Sequence, residues 1–103
     1  MSYVVKILTP ADTDAVETAL WYDAQVSGLG ADFLEQVNIA AQNLATNPEI
    51  HRIRFADVRR APVHGFKFYG VYYLIQREEV WLIAVHHGRR HPRWLRERRK
   101  EIG

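Results

Sequence analysis

At 103 residues, the chain is long enough for one domain spanning residues 1–103 and too short for two. Its 48% hydrophobic and 25% charged residues are typical of a globular protein. It has no cysteine, which excludes disulfides, thiolate metal sites and cysteine nucleophiles. With no signal-peptide pattern and no apolar run long enough to span a membrane, we expect a soluble cytoplasmic domain.

The charged residues are divided unevenly between the two halves of the chain. Residues 1–50 carry one cation and seven acids, a net charge of −6, whereas residues 51–103 carry thirteen cations and five acids, a net charge of +8. This division indicates either a basic face directed at an anionic partner or two halves that neutralise each other across the fold.

The first half of the chain predicts a strand and a helix. The segment from Tyr3 to Leu8 is rich in β-branched and aromatic residues, as strands are. Thr9 as the N-cap and Pro10 at the first helical position predict the start of a helix that runs to about Val26. Apolar residues recur along it at helical spacing: Ala15, Val16, Ala19, Leu20 and Tyr22.

A second helix follows after a short break and completes a helical hairpin. Gly28-Leu29-Gly30 ends the first helix and begins the second, which needs no ligand to explain it. Asn47-Pro48 stops the second helix. Its expected apolar stripe consists of Phe33, Val37, Ala40, Ala41 and Leu44.

The second half changes from helical to strand periodicity. Strands are predicted over 55–63, 66–75 and 80–86, the last of them buried on both faces, and a helix is predicted from His91 to about Ile102. The resulting order is β-α-α-β-β-β-α. This is an α+β fold with a helical hairpin packed on a small twisted antiparallel sheet and a C-terminal helix. The sequence does not fix where the first strand pairs.

The residue types needed for most catalytic chemistries are missing or badly placed. Neither serine lies in a nucleophile elbow, no glycine-rich phosphate loop is present, and we expect the acids of the first two helices on solvent-facing sides. His87 and His91 are four residues apart, but one ends a strand and the other begins a helix, so they share no helical face. The sequence therefore predicts neither a metal site nor a cofactor.

Arginines in the second half predict an anion-binding edge. They follow adjacent elements and have His87 and Trp94 among them, an arrangement suited to unpaired bases, although for Trp94 packing on the sheet is the favoured interpretation. Guanidinium groups also pair with carboxylates, so an acidic protein partner fits as well as a nucleic acid. The candidate residues are Arg59, Arg60, Arg89, Arg90, Arg93, Arg96 and Arg99.

Several segments, in order along nearly the whole chain, together resemble the RelE/ParE toxin superfamily. In the first half these are Thr9-Pro10-Ala11, the helix end Leu20-Trp21-Tyr22-Asp23-Ala24-Gln25, Gly28-Leu29-Gly30 and Asn47-Pro48-Glu49. In the second half they are Asp57-Val58-Arg59-Arg60-Ala61, the aromatic segment 66–73 and the run from Ala84 to Pro92. Members are toxins of bacterial type II toxin–antitoxin modules, often called plasmid stabilisation proteins.

The resemblance implies a partner protein as well as a fold. A cognate antitoxin with an acidic C-terminal segment would wrap around and neutralise the toxin, and the complex would bind operator DNA only indirectly, through the antitoxin. The target is DNA gyrase in the ParE-like branch and the ribosome with its mRNA in the RelE-like branch. A relative that retains only partner binding is a third interpretation.

Two departures favour the ParE-like branch, in which the protein is not an enzyme. The nuclease branch commonly has Gly-Tyr-Arg at the start of the central strand, whereas this chain has Phe68-Tyr69-Gly70. It also lacks a tyrosine after Tyr73. If the chain were nevertheless an mRNA endoribonuclease, His87 would be the acid/base and Arg89 the catalytic cation. Alternatively, His87 would form a structural hydrogen bond with Asp57, and Arg59 would pair with an acid.

Overall fold

The computed structural model describes residues 2–89 and 92–102. Within these residues the chain forms five strands and three α-helices, together with the 3-10 turn Pro48–Ile50. The strands are β1 (Val4–Ile7), β2 (Ile53–Phe55), β3 (Val58–Pro62), β4 (Tyr69–Gln76) and β5 (Glu79–His87). The α-helices are α1 (Thr9–Gln25), α2 (Leu29–Leu44) and α3 (Arg93–Ile102).

All five strands form one sheet in the order β1-β5-β4-β3-β2. The predicted α+β class, helical hairpin and C-terminal helix are confirmed. The sheet is mixed rather than purely antiparallel, because β1 runs parallel to β5, with Val5 opposite Val80. The strand predicted over 55–63 is two strands, since a turn at Ala56 and Asp57, with Ala56 at φ 52°, separates β2 from β3.

The helical hairpin covers one face of the sheet, but α1 does so with small residues. The predicted stripe of α2 is confirmed, with Phe33, Val37, Ala41 and Leu44 buried. The stripe predicted for α1 is partly wrong, because Val16 and Leu20 are exposed. Its buried face consists of Ala11, Asp14, Ala15 and Ala19. Alanine side chains let α1 lie close to its neighbours, and a helix that packs on alanine shows little apolar periodicity.

The start of α2 requires a glycine because it, too, lies close to a neighbouring helix. A Cβ at Gly30 would lie 2.3 Å from the carbonyl oxygen of Ala19 on α1. The Gly30 N–H donates to Asp23 Oδ1 at 2.7 Å, which ties the two helices together at their connection. The N-cap of α1 differs from the prediction: it is Leu8, without a side-chain hydrogen bond, and Thr9 is already helical.

Helix α3 covers part of the opposite face of the sheet. Leu95 is buried there against a second apolar cluster, formed by Val58, Tyr72, Leu74, Ile83 and Ala84. Trp94 packs edge-on against Tyr72, with ring centroids 5.3 Å apart, so its predicted packing role is confirmed. None of the helices in the described segments has the length and apolarity needed to cross a membrane.

Strand β5 extends beyond the end of its partner β1. Side chains complete the hydrogen bonding along this part of its edge. The Leu8 N–H donates to the Leu82 carbonyl where β1 ends. Beyond that point, the Val85 N–H donates to Asp14 Oδ2 at 3.1 Å, and Arg98 Nη1 donates to the Ile83 carbonyl at 2.8 Å. Arg98 Nη1 also donates to Asp14 Oδ2 at 2.9 Å, and His86 Nε2 lies 3.2 Å from the same oxygen. We call Asp14, His86 and Arg98 the edge cluster.

Helix α3 is held by a second ion pair next to the first. Arg99 donates from Nε to Asp57 Oδ1 at 2.9 Å and from Nη2 to Asp57 Oδ2 at 3.0 Å. The predicted alternative of a bond between His87 and Asp57 is therefore replaced by this bidentate pair. Adjacent arginines thus bind acids from two distant parts of the chain, which fixes α3 on the sheet.

We expect Asp14→Ala to lower the free energy of unfolding by about 3 kcal/mol, because it leaves the partly buried Arg98 guanidinium and the Val85 N–H without their carboxylate. Urea denaturation at pH 7 measures the change. Asp12→Ala, on the exposed side of the same helix, is the control and should cost less than about 1 kcal/mol. Equal costs for the two variants would contradict the role of Asp14.

The stability should fall in acid through Asp14 and Asp57. Burial by itself raises the pKa of Asp14, but hydrogen bonds from His86, Arg98 and the Val85 N–H outweigh it and hold that pKa below its usual value of 3.8. The hydrogen bond from Arg99 likewise lowers the pKa of Asp57. Groups with a lowered folded pKa stabilise the protein above their unfolded pKa, and this stability is lost as the pH falls through the folded value. Denaturation from pH 7 downward should show the loss below about pH 4, and it should be shallower in Asp14→Asn.

Candidate anion-binding groove

A groove of about 650 Å³ lies on the α3 face of the sheet. Its walls come from β2, β3 and β4, the segment that joins β3 to β4, the end of β5 and the start of α3. No acidic residue is among the described residues that line it. Four cations line it instead: Arg54, Arg60, Lys67 and Arg89. Its charge therefore favours an anionic occupant.

Arg60 is fixed in the floor of the groove. Its Nη2 donates to the Phe68 carbonyl at 2.8 Å, and its Nε donates to the Tyr72 hydroxyl at 3.2 Å. Two of its donor nitrogens are therefore engaged by neutral acceptors, which hold the guanidinium in place without cancelling its charge. A cation fixed in this way loses little rotamer freedom when it binds an anion.

Arg60 occupies space that exists only because residue 70 is glycine. A Cβ at Gly70 would lie 2.4 Å from Arg60 Nε. A Cβ at Gly88 would lie 3.0 Å from Arg60 Nη2. The space beside Gly70 is thus occupied by the side chain of Arg60 from the neighbouring strand.

Phe68 stands at the mouth of the groove in a strained conformation. Its φ of +74° lies in the left-handed region, which bulky residues rarely adopt. Hydrogen bonds from Arg60 and from the Gly88 N–H to its carbonyl hold this conformation. The ring remains 37% exposed, and the Arg89 guanidinium lies over it at 3.9 Å. Sparsely populated backbone conformations of this kind concentrate at functional sites.

The structure separates the arginines predicted to form one anion-binding edge. Arg60 and Arg89 line the groove, whereas Arg59 points to the other face of β3 and donates to the carbonyls of Glu49 and His51. Arg99 pairs with Asp57. On α3, Arg93 and Arg96 are exposed, with Arg96 5.2 Å from the Phe55 ring. Arg90, and also His91, lie outside the described residues.

His87 lies on the helical-hairpin side of the sheet, away from Arg60. Its ring packs against Tyr69 and Phe68, with centroids 5.3 and 5.2 Å away. Its Nδ1 accepts a hydrogen bond from the Arg89 N–H at 3.1 Å. It borders a depression that also contains Glu17, Thr18 and Trp21, not the groove that contains Arg60. The candidate acid/base thus contacts Phe68 and Arg89 at the edge of the cationic groove but does not line it.

Three residues that line the groove or stabilise the fold were not predicted from the sequence. Arg54 and Lys67 join the groove from a short edge strand and a turn, and their spacing along the chain gave no signal. The buried Asp14 was expected on a solvent face, because its helix carries other acids. Its position beside Ala11 and Ala15 was the available signal. Within residues 2–89 and 92–102, no group of three His, Asp or Glu residues is arranged to hold a metal ion.

Comparison with known proteins finds a matching family and solved structures of similar fold. A sequence model of the family described as "ParE toxin of type II toxin-antitoxin system, parDE" matches residues 5–92. No curated protein matches the chain. The chain is similar in fold to the solved structure titled "Chromosomal ParDE TA system from P. aeruginosa", with 15% identity and a TM-score of 0.65. The similarity covers 84% of this chain and 96% of that one.

We expect Gly70→Ala to lower the free energy of unfolding by about 2 kcal/mol, because the new methyl group would displace Arg60 from the groove floor. Chemical denaturation of four proteins measures the coupling: the original chain, Gly70→Ala, Arg60→Ala and the double variant. In the Arg60→Ala background, Gly70→Ala should lower the free energy of unfolding only slightly, since the side chain that the methyl group would displace is absent. Strictly additive costs would contradict the proposed occupation of the same space.

Proposed function

Because this chain belongs to the ParE toxin family of type II toxin–antitoxin systems, we propose that it inhibits bacterial growth by acting on DNA gyrase. We also propose that it does so by binding and not by catalysis. The observation that best supports the second part is the placement of His87 and Arg60 on opposite sides of the sheet.

The arrangement of the described residues disfavours the alternative, a ribosome-dependent mRNA endoribonuclease. Cleavage of RNA needs a proton acceptor and cations around the same phosphate. Arg59 is engaged with backbone carbonyls on the face opposite Arg60, and His87 borders an acidic depression. Tyr73 is fully buried and donates to the Pro48 carbonyl, and burial raises its pKa to about 12. It therefore cannot serve as an acid or a base near neutral pH.

We further propose that a cognate antitoxin neutralises this protein in the cytoplasm. The structural relative is described as a ParDE system, which supports a protein partner. Two surfaces of the chain suit such a partner. One is the exposed apolar side of α1 at Val16, Leu20 and Trp21, and the other is the exposed pair Arg93 and Arg96 on α3, whose charge suits an acidic segment.

We expect expression of the chain without an antitoxin to arrest growth, and the purified protein to inhibit DNA supercoiling by gyrase while ribosome-bound mRNA stays intact. The two assays should be run in parallel over the same protein concentrations, with heat-unfolded protein as the control. His87→Ala should inhibit supercoiling as strongly as the original chain, because His87 lies outside the groove and catalyses nothing in this proposal.

The same pair of assays distinguishes the alternatives. Cleaved mRNA with unaffected supercoiling, and loss of cleavage in His87→Ala, would overturn the gyrase proposal in favour of the nuclease. Normal growth at high levels of folded protein would remove both toxin mechanisms and leave a protein that only binds a partner. Folding of each variant should be verified by its thermal transition, so that loss of activity is not confused with loss of structure.

A further inference from the structure

The groove combines the two features by which proteins bind unpaired nucleotides. Four cations line it, and a partly exposed aromatic ring stands at its mouth with a guanidinium over it. Proteins that bind single strands use positive grooves for the phosphates and aromatic rings or arginine planes for the bases. We propose that this groove binds single-stranded nucleic acid without cleaving it. The inference goes beyond the action on gyrase and does not depend on it.

A base would stack at the Phe68–Arg89 pair. The exposed Arg89 guanidinium lies over the Phe68 ring, 3.9 Å from its centre, so the guanidinium plane backed by the ring is the surface on which a base would stack. Lys67 Nζ lies 5.1 Å from the same ring centre, so a second cation stands beside the stacked pair. The strained backbone of Phe68, held by Arg60 and Gly88, presents the ring in this position before any ligand arrives. A base stacked here would therefore bring its own phosphates beside two cations.

The phosphates on either side of that base would reach the fixed cation of the floor. Arg60 is oriented by the Phe68 carbonyl and the Tyr72 hydroxyl, and neither acceptor carries a charge. Strand β3 places Arg60 opposite Tyr72 of β4 in the sheet register, and both residues line the groove. Arg54 completes the positive wall from β2. The groove thus contains a stacking surface, a cation fixed by hydrogen bonds and a further cation on β2.

An extended acidic peptide fits the groove less well than a nucleic acid does. Peptides that lie along a sheet gain much of their affinity by adding a strand to an open edge. The floor of the groove at Tyr72 belongs to β4, which is the middle strand and is paired with both β3 and β5. A peptide there would find cations for its carboxylates but few partners for its backbone. Stacked bases need no backbone partners.

The charge division of the chain would orient an incoming polyanion. Residues 1–50, which carry the net charge of −6, form the helical hairpin on the opposite face of the sheet. A polyanion is therefore repelled from that face and attracted to the groove. His87 does not line the groove, and its Nδ1 already accepts a hydrogen bond from the Arg89 N–H.

The test is binding of fluorescently labelled oligodeoxythymidylate and oligouridylate to the purified protein, followed by fluorescence anisotropy over a range of salt concentrations. Neutralisation of four cations by a single strand predicts a slope of about −3 for log K against log salt concentration. Phe68→Leu should weaken binding about tenfold through the lost stacking. Arg89→Gln should weaken binding and reduce the salt slope by about 0.7. The oligonucleotides should be recovered uncut.

The matched control is Arg77→Gln, which removes an exposed arginine from the turn between β4 and β5. Along β4 that turn lies about 17 Å from Tyr72 in the groove floor, beyond the screening length of about 10 Å, so binding should be unchanged. A polyglutamate peptide of equal charge should bind more weakly than the oligonucleotides. The proposal is overturned if polyglutamate binds as tightly as the oligonucleotides, or if no oligonucleotide binds at low salt. It is also overturned if Phe68→Leu does not change the affinity for the oligonucleotides, or if Arg77→Gln weakens their binding as much as Arg89→Gln does. Since Phe68 and Arg89 are both exposed, neither variant is expected to unfold the chain.

Discussion

The carboxylate of Asp14 is the interaction on which the arrangement of the molecule depends. Strand β1 pairs with β5 only as far as Leu82, which leaves the rest of that edge without a strand partner. Asp14 accepts the Val85 N–H, and Arg98 donates to the Ile83 carbonyl and to Asp14 itself. One buried ion pair therefore completes the hydrogen bonding of the sheet edge and connects α1, β5 and α3. Without it, a buried strand edge would remain unsatisfied, at a high cost in free energy.

The position of α3 in turn defines the groove. Arg98 and Arg99, adjacent in sequence, bind Asp14 and Asp57, and Leu95 is buried between them and the sheet. This fixes the N-terminal end of α3 as one wall, while the opposite wall contains the strained residue Phe68. The cations that serve structure and those that remain available for an anion are thus different residues, although they are intermixed in the sequence. None of the described residues that line the groove is acidic, and Asp14 and Asp57 are paired with Arg98 and Arg99 outside it.

The regular elements were predictable because each had a local cause. The apolar stripe of α2 and the β-branched and aromatic residues of β4 and β5 specify their periods without reference to the rest of the chain. The errors occurred where a distant contact overrode the local pattern. Helix α1 packs on the sheet with alanines and an aspartate. Its larger apolar residues Val16 and Leu20 are therefore exposed, although the pattern predicted them on the buried side. The break between β2 and β3 depends on Asp57, whose partner Arg99 lies 42 residues away.

The sequence by itself determined the class of the fold, the helical hairpin, the family resemblance and the concentration of positive charge in the second half. These follow from composition, from periodicity and from motifs in a fixed order, all of which are properties of nearby residues. Only the tertiary structure decided which arginines share a surface. Arg59 and Arg60 are neighbours in the chain but point to opposite faces of β3, because side chains alternate along a strand. Arg54, Arg60, Lys67 and Arg89 come together because the strands that carry or flank them are aligned in one sheet, and strand pairing is a long-range property that local sequence does not encode.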